Sequence, residues 1–218
     1  MSLVLRLLLI CLALGLSAGL RAESSVPPRA VLEQRATKIA TSLKLADPAK
    51  TTRVATLIAN QYESLARIHA LRDEKVKAAK TSASNDKAGS ESSISAARNE
   101  ATASQDQLHA SYLAALATEL SPTEIDQVKD GMTYGVLPLT FRVYQEMLPH
   151  LTAEQKAQIH AWLVEAREHA MDASTSEEKH GWFGKYKGRI NNYLSAAGID
   201  MKQAERDLAA RRKAAESK

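Results

Sequence analysis

The chain has 218 residues, of which 44% are hydrophobic and 25% charged, with 29 Lys and Arg against 25 Asp and Glu and a single Cys. This composition excludes a collagen-like chain, a wholly disordered chain and a small protein framed by disulfides. It also excludes a protein with several membrane-spanning helices, because only one apolar run approaches the necessary length.

Residues 1–22 have the pattern of a secretory signal peptide. Arg6 precedes an apolar stretch from Leu7 to Leu16, and small residues lead to Ala22. The apolar stretch is only half as long as the roughly 20 residues that span a bilayer. We therefore expect cleavage after Ala22 and a periplasmic or secreted mature protein that does not contact the membrane.

Cleavage there would remove Cys11 together with Arg6 and Arg21, which leaves no cysteine and 27 basic against 25 acidic residues. The fold would then depend on packing alone, without disulfides. A net charge of +2 does not point to nucleic acid, because polyanion binding usually shows as a strong basic excess. We expect no nucleic acid partner.

Apolar residues recur at intervals of three and four nearly throughout the chain, and no segment shows the alternation typical of a strand. The sequence therefore predicts an all-α fold. A first helix is expected over residues 28–43. Asp47 and Pro48 then form a helix start, because Asp can cap the first amides and Pro is tolerated at the first helical position. This second helix is predicted to run to about Lys80.

Residues 81–95 are rich in Ser, Ala, Asn and Gly and nearly lack large apolar side chains. Burial cannot offset the entropy of ordering such a segment, so we expect it to be the flexible tip of a helical hairpin. The returning helix is predicted from about Ser95 to Leu120. We expect a single domain over residues 23–210, in which this long N-terminal hairpin packs with shorter C-terminal helices, followed by a polar tail at 211–218.

Two later helix starts share one capping pattern. Ser121 and Thr152 are each followed three residues later by a Glu or Gln that can reach back to the cap. A leucine precedes each cap, so both segments also resemble the Leu-Thr-x-x-Gln motif of small periplasmic stress chaperones. A chaperone or structural role therefore stays open. Further helices are predicted after Thr152, over about 185–196 and after Asp200.

The segment 180–198 has no acidic residue and should carry positive potential. Lys185, Arg189 and Asn192 follow one another at i, i+4 and i+7, which places them on one helical face. The Arg fork and the Asn amide could bind an anion or a polyhydroxylated ligand there. A solvated cationic surface is the alternative reading of the same face.

Trp182 and Phe183 are expected to precede this helix, between glycines that permit tight turns. A flat ring at Trp182 could stack on a sugar, or it could cover the core. Upstream, two glycines bracket Tyr134 and predict a shaped loop, where binding groups tend to lie. Arg142 on the following helix could complete a polar pocket.

Signals for catalysis and metal binding are weak. Glu165 and His169 lie one turn apart, but no HExxH motif or three-ligand pattern is present, and we expect no metal and no cofactor. One enzymatic alternative stays open. Tyrosine, histidine and a cation together can carry out β-elimination on a uronate, and residues of these types are available: Tyr134, Tyr186, His180, Lys185 and Arg189.

Two long strings, DGMTYGVLPLTFRVYQEMLPHLTAEQKAQIHAWLVEAREHAMDASTSEEKH and GWFGKYKGRINNYLSAAGIDMKQAE, resemble a family of exported bacterial proteins of unknown function with a suggested sugar-binding role. The resemblance covers about residues 30–208. It implies a secreted, carbohydrate-associated role in bacteria that use polysaccharides, and it brings no catalytic residues.

We therefore expect an exported, non-catalytic protein that binds saccharides, preferentially acidic ones. Ring stacking and hydrogen bonds in one cleft would hold the ligand, through a predicted set of six residues: Tyr134, Arg142, Trp182, Lys185, Arg189 and Asn192. The alternatives are a carbohydrate-active enzyme such as a uronate lyase, and a periplasmic chaperone or structural protein.

Overall fold

The computed structural model describes residues 26–82 and 86–216. This part of the chain contains α-helices and no strand, which confirms the predicted all-α single domain. The expected signal peptide, residues 1–22, lies outside the described residues. The helices, in chain order, are α1 (Arg29–Ser42), α2 (Pro48–Ser82), α3 (Lys87–Ala117), α4 (Pro122–Met132), α5 (Val136–Met147), α6 (Ala153–Met171), α7 (Ser176–Ala196) and α8 (Met201–Glu216).

The hairpin of α2 and α3 reaches further into residues 81–95 than the sequence predicted. α3 begins at Lys87, where Asp86 caps it by accepting a hydrogen bond from the Gly89 amide at 2.9 Å. Ser90 is buried against α2, and its hydroxyl donates to the carbonyl of Ala79 at 2.8 Å. The small side chains of this segment let the two helices approach closely. The hydrogen bonds within the helices and the contact of Ser90 with Ala79 therefore order a segment that has few large apolar side chains.

One core joins α1 to α4. Its stripe on α1 includes Ala36, Ile39 and Ala40, which belong to one cluster with Ile58 of α2, Leu116 of α3 and Val128 of α4. Local periodicity explains this stripe, since apolar residues three and four apart share one helical face. Met171, the last residue of α6, belongs to the same core. The hairpin and the C-terminal helices therefore meet at the end of α6.

A second core lies among α5, α6, α7 and α8. Ile159 and Leu163 of α6 are fully buried, as are Ile190 and Leu194 of α7. Tyr144 of α5 packs into the same cluster. This burial, from Ile159 of α6 and from Phe183 of α7 onwards, holds the two helices side by side.

The start of α7 corrects the prediction that a helix begins near residue 185. Thr175 caps it by accepting from the Glu178 amide at 3.1 Å, and the helix runs on through Gly181 and Gly184. Phe183 lies inside the helix with 1% of its surface exposed. Burying that ring offsets the cost of helical glycine, about 1 kcal/mol per residue.

The helix starts predicted after Ser121, Thr152 and Asp200 are confirmed. Ser121 and Thr152 each form a complete capping box, in which the hydroxyl and the side chain three residues later satisfy each other's backbone amides. Asp200 accepts from the Gln203 amide at 2.9 Å and caps α8. α8 continues to Glu216, so residues 211–216 of the predicted polar tail are helical. Within the described ranges, no helix combines the length and apolar character needed to cross a membrane.

Candidate functional site

A cleft lies where the hairpin meets α6 and α7. It has a volume of about 970 Å³. We call it the large cleft; its polar and aromatic lining comes from four helices and includes His69, Arg72, Gln105, Asp106, His109, Glu168, His169, Asp172, Glu178, Trp182 and Lys185.

Trp182 supplies the aromatic wall of the large cleft. Its ring stacks on the imidazole of His169, with centroids 4.4 Å apart and an angle of 18° between the planes. The ammonium of Lys185, one turn further along α7, lies 5.0 Å from the Trp182 ring centroid. Helical spacing explains the pair, because residues three apart are neighbours on a helix surface.

His109 of α3 forms an ion pair with α6. Its Nδ1 lies 2.6 Å from Oδ2 of Asp172, and its Nε2 lies 3.5 Å from Oε2 of Glu168. Hydrogen bonds to Asp172 and then Glu168 raise the pKa of His109 to about 9. The ring is therefore a cation at neutral pH, with both nitrogens donating.

Three cations contact the carboxylate of Glu168: His109, which also lines the large cleft, and Lys129 and Arg167, which do not. Burial alone would raise its pKa, but hydrogen bonds from His109 and Lys129 outweigh burial and lower the pKa of Glu168 to about 2. The Lys129 ammonium lies 2.9 Å from Oε2. The buried Arg167 guanidinium lies 3.4 Å from the other oxygen and also binds Asp130 of α4 at 2.9 Å.

His69 of α2 joins the same region as a neutral ring. Its Nε2 donates to the Asp172 carbonyl at 2.8 Å, which Gln105 also contacts by donating from Nε2 at 3.0 Å. The Nδ1 of His69 accepts from Arg72 at 3.1 Å. Burial lowers the pKa of His69, which agrees with a ring that donates from one nitrogen and accepts on the other. The end of α6 is thus fixed to both hairpin helices.

Carboxylates outnumber cations in the large cleft. Asp106, Glu168, Asp172 and Glu178 line it, against Arg72, Lys185 and the protonated ring of His109. Asp106 makes no hydrogen bond or ion pair with any described residue. The described residues contain no group of three or more His, Cys, Asp and Glu side chains placed to hold a metal ion.

Residues 29–214 of the chain match a protein family described as Protein of unknown function (DUF3826). The chain belongs to this family. The match runs from the first residue of α1 almost to the end of α8, so both cores lie within the family's domain. None of the curated proteins compared with the chain matches it. Membership confirms the expected relation to a family of unknown function, whereas export and sugar binding go beyond what membership shows.

The structure does not bring the six predicted binding residues together. Trp182 and Lys185 line the large cleft, whereas Tyr134 lines a second pocket on the far side of residues 172–175. Arg142 is exposed and lies 3.7 Å from Glu146 on its own helix.

Arg189 and Asn192 lie outside both cavities. The Arg189 guanidinium lies over the Trp162 ring, 4.5 Å from its centroid, and 3.6 Å from Glu165. Asn192 is exposed. These residues do follow Lys185 along one face of α7, but a rise of about 1.5 Å per residue carries them past the end of the cleft and onto α6.

The residues proposed for β-elimination are also separated. Tyr186 is buried in the second core, and burial raises its pKa to about 12. His180 stacks on Tyr134 at the second pocket, whereas Lys185 lies in the large cleft. The described geometry therefore forms no Tyr, His and cation centre from this set.

The sequence argument missed the contribution of the hairpin to the site. Gln105 and His109 lie four residues apart on α3, and Glu168 and Asp172 lie four apart at the end of α6. Polar pairs at this spacing occupy one helical face and signal a polar surface. This spacing predicts a polar face on α3 and a polar face on α6. It does not predict that the two faces contact each other.

Proposed function

We propose that the protein binds a saccharide in the large cleft. The observation that carries this proposal is the stack of Trp182 on His169 beside polar groups that have hydrogen-bonding capacity left. A volume of about 970 Å³ lies in the range of ligand sites, about 300–1,000 Å³. It accommodates more than one sugar unit.

A sugar ring has an apolar face of C–H groups and a rim of hydroxyls, so it needs both a flat apolar surface and dispersed polar partners. The indole of Trp182 offers the flat surface. Asp106 has both carboxylate oxygens without a partner among the described residues, and Gln105 keeps its carbonyl oxygen after donating to Asp172. Hydroxyl groups would donate to these oxygens.

The charge of the large cleft helps to decide between acidic and neutral saccharides as ligands. The expected preference for acidic saccharides depended on Lys185 and Arg189 acting together, but Arg189 lies beside Glu165 instead. Glu168 and Asp172 are already paired with cations, so Asp106 and Glu178 remain against Arg72 and Lys185. The cleft therefore lacks the cationic excess that would attract an anionic sugar. We therefore assign neutral saccharides to the large cleft, and export guided by residues 1–22 is part of the same proposal.

Calorimetric titration with neutral oligosaccharides selected on a glycan array tests the proposal. Trp182→Ala should weaken binding at least about tenfold, because it removes the stacking surface. Arg189→Ala is the matched control, since it changes the same helix outside the cleft, and its affinity should stay that of the unchanged protein. Unchanged affinity in Trp182→Ala, or no neutral saccharide bound on the array, contradicts the proposal.

A second variant separates loss of binding from loss of fold. Asp106→Asn replaces an exposed carboxylate with an amide of the same shape, so its urea unfolding curve should match that of the unchanged protein. Its affinity for the neutral saccharide should fall, because an amide presents one acceptor oxygen in place of two. If Asp106→Asn bound the saccharide as tightly as the unchanged protein, Asp106 would not be a ligand-binding residue.

A further inference from the structure

A second pocket of about 530 Å³ lies between α1, α2, the turn after α4 and the start of α7. We call it the cationic pocket, because three cations and two tyrosines line it. These residues are Arg35 and Lys38 of α1, Tyr62 of α2, Tyr134 of the turn and Lys179 of α7. It shares His69 and Ala173 with the large cleft but is otherwise separate.

The positive charge of this pocket is compensated mainly at Lys179, which Asp172 and Glu178 attract electrostatically. Arg35 and Lys38 make no hydrogen bond or ion pair with any of them. Asp73 is the one acidic residue in the described lining, and it is paired with Arg72 at 2.8 Å. Unpaired cations around a cavity raise the local concentration of anions.

Lys179 adds a buried cation to this set. Its ammonium donates to the carbonyls of Ala170 and Met171, both at 3.0 Å, at the end of α6. An ammonium has three donors, so one is left without a partner in the described structure. Burial lowers the pKa of Lys179 to about 8, and the group is still mostly charged at neutral pH.

The two tyrosines give the pocket donors and a flat surface. Tyr134 has φ 59° and is 57% exposed, and its ring stacks on His180 at 5.7 Å. A left-handed backbone is unfavourable for a tyrosine, and such outliers are concentrated at functional sites. Burial raises the pKa of Tyr62 well above its usual range. Its hydroxyl is therefore a donor at neutral pH.

We propose that the cationic pocket binds a small organic oxyanion, a carboxylate or a phosphate carried on a sugar-sized ring. The fork of Arg35 matches two oxygens of either group, and Lys38 and Lys179 supply further charge. The Tyr62 hydroxyl donates to the anion, and the body of the ligand lies against the exposed ring of Tyr134. This site is independent of the neutral saccharide assigned to the large cleft.

Calorimetry with matched sugars tests the proposal, because glucuronate and glucose 6-phosphate differ from glucose only at C6. At neutral pH and low salt, one or both anionic sugars should bind more tightly than glucose. Arg35→Gln and Lys38→Gln should each weaken that binding by about tenfold, the usual effect of losing a hydrogen bond to a charged group. Binding of glucuronate alone identifies a carboxylate ligand, and binding of glucose 6-phosphate alone identifies a phosphate ligand.

Arg98→Gln is the control, since Arg98 is an exposed cation of α3 outside the pocket. It should leave the affinity unchanged, as should Trp182→Ala, because Trp182 packs on the second core and lines the large cleft but not the cationic pocket. Three results overturn the inference: no binding of either anionic sugar, equal weakening in Arg98→Gln, or full affinity in both Arg35→Gln and Lys38→Gln. Loss of neutral-sugar binding in Trp182→Ala bears only on the large cleft, so the two sites can fail separately.

Discussion

The imidazole of His109 lies 2.6 Å from the carboxylate of Asp172, although 63 positions separate the two residues in the chain. This contact joins α3 of the hairpin to the end of α6, where the two cores meet. It also fixes one wall of the large cleft. Stability and the shape of the cleft therefore depend on the same charged pair.

The first prediction concerns stability at alkaline pH. Because the pKa of His109 is raised from 6.5 to about 9 in the folded protein, its stabilising contribution is fully present below pH 6.5 and is lost as pH rises through 9. The linked loss in the free energy of unfolding is about 3 kcal/mol. Urea unfolding on either side of this interval measures it.

His109→Gln is the reference for that measurement, since glutamine does not titrate. The stability difference between the unchanged protein and His109→Gln should be largest below pH 6.5 and should shrink by about 3 kcal/mol on the alkaline side. Subtracting the two curves removes the contributions of other groups, including His69. A constant difference across this range would show that His109 is not held as a cation.

The second prediction concerns the buried guanidinium of Arg167, which is 4% exposed and pairs with Asp126, Asp130 and Glu168. Arg167→Met should lower the free energy of unfolding by about 1–3 kcal/mol, because the half-buried carboxylates of Asp130 and Glu168 each lose a partner. Urea unfolding at neutral pH measures the change. Arg142→Met, at an exposed cation of α5, should change stability by no more than about 0.5 kcal/mol. Similar effects in the two variants would contradict the buried network.

The elements that the sequence predicted well are those set by local chemistry. The capping boxes at Ser121 and Thr152 need only residues three apart, and the apolar stripe of α1 needs only the helical period. These features formed as predicted because they depend on residues close together in the chain, and no tertiary contact opposes them.

The site was predicted less well because its geometry depends on how helices meet. Nothing local to His109 indicates that it faces Asp172. At α7, the glycines around Trp182 indicated a turn, but burial of Phe183 overrides that preference and continues the helix. This extension places Trp182 on a helical face beside Lys185, whereas Arg189 lies one turn further along α7, over Trp162.

The third prediction uses two glycines in different surroundings. Gly184 lies inside α7, and a Cβ added there would meet nothing within 4 Å. Gly184→Ala should therefore raise the free energy of unfolding by about 0.5–1 kcal/mol through better helix propensity.

The same substitution at Gly131 should have the opposite sign. A Cβ at Gly131 would lie 2.9 Å from Cγ2 of Ile39. The buried, β-branched Ile39 has little rotamer freedom, so Gly131→Ala should lower stability by about 1–3 kcal/mol. Thermal and urea unfolding of both variants check the pair. Stabilisation by Gly131→Ala would mean that α1 and α4 have room to move apart.

The last prediction concerns the backbone at Tyr134. Because φ is 59° at this residue, glycine suits the position better than any residue with a Cβ. Tyr134→Gly should be more stable than Tyr134→Ala by about 1 kcal/mol, although both remove the same ring. At Lys187, an exposed position inside α7, the order should be reversed by a similar amount, because there glycine is the poorer helix former.

Both Tyr134 variants should also bind anionic sugars less tightly, since the ring is gone from the cationic pocket. A glycine variant no more stable than the alanine variant would mean that this backbone conformation carries no strain. The conformation would then give no support to a binding role for Tyr134.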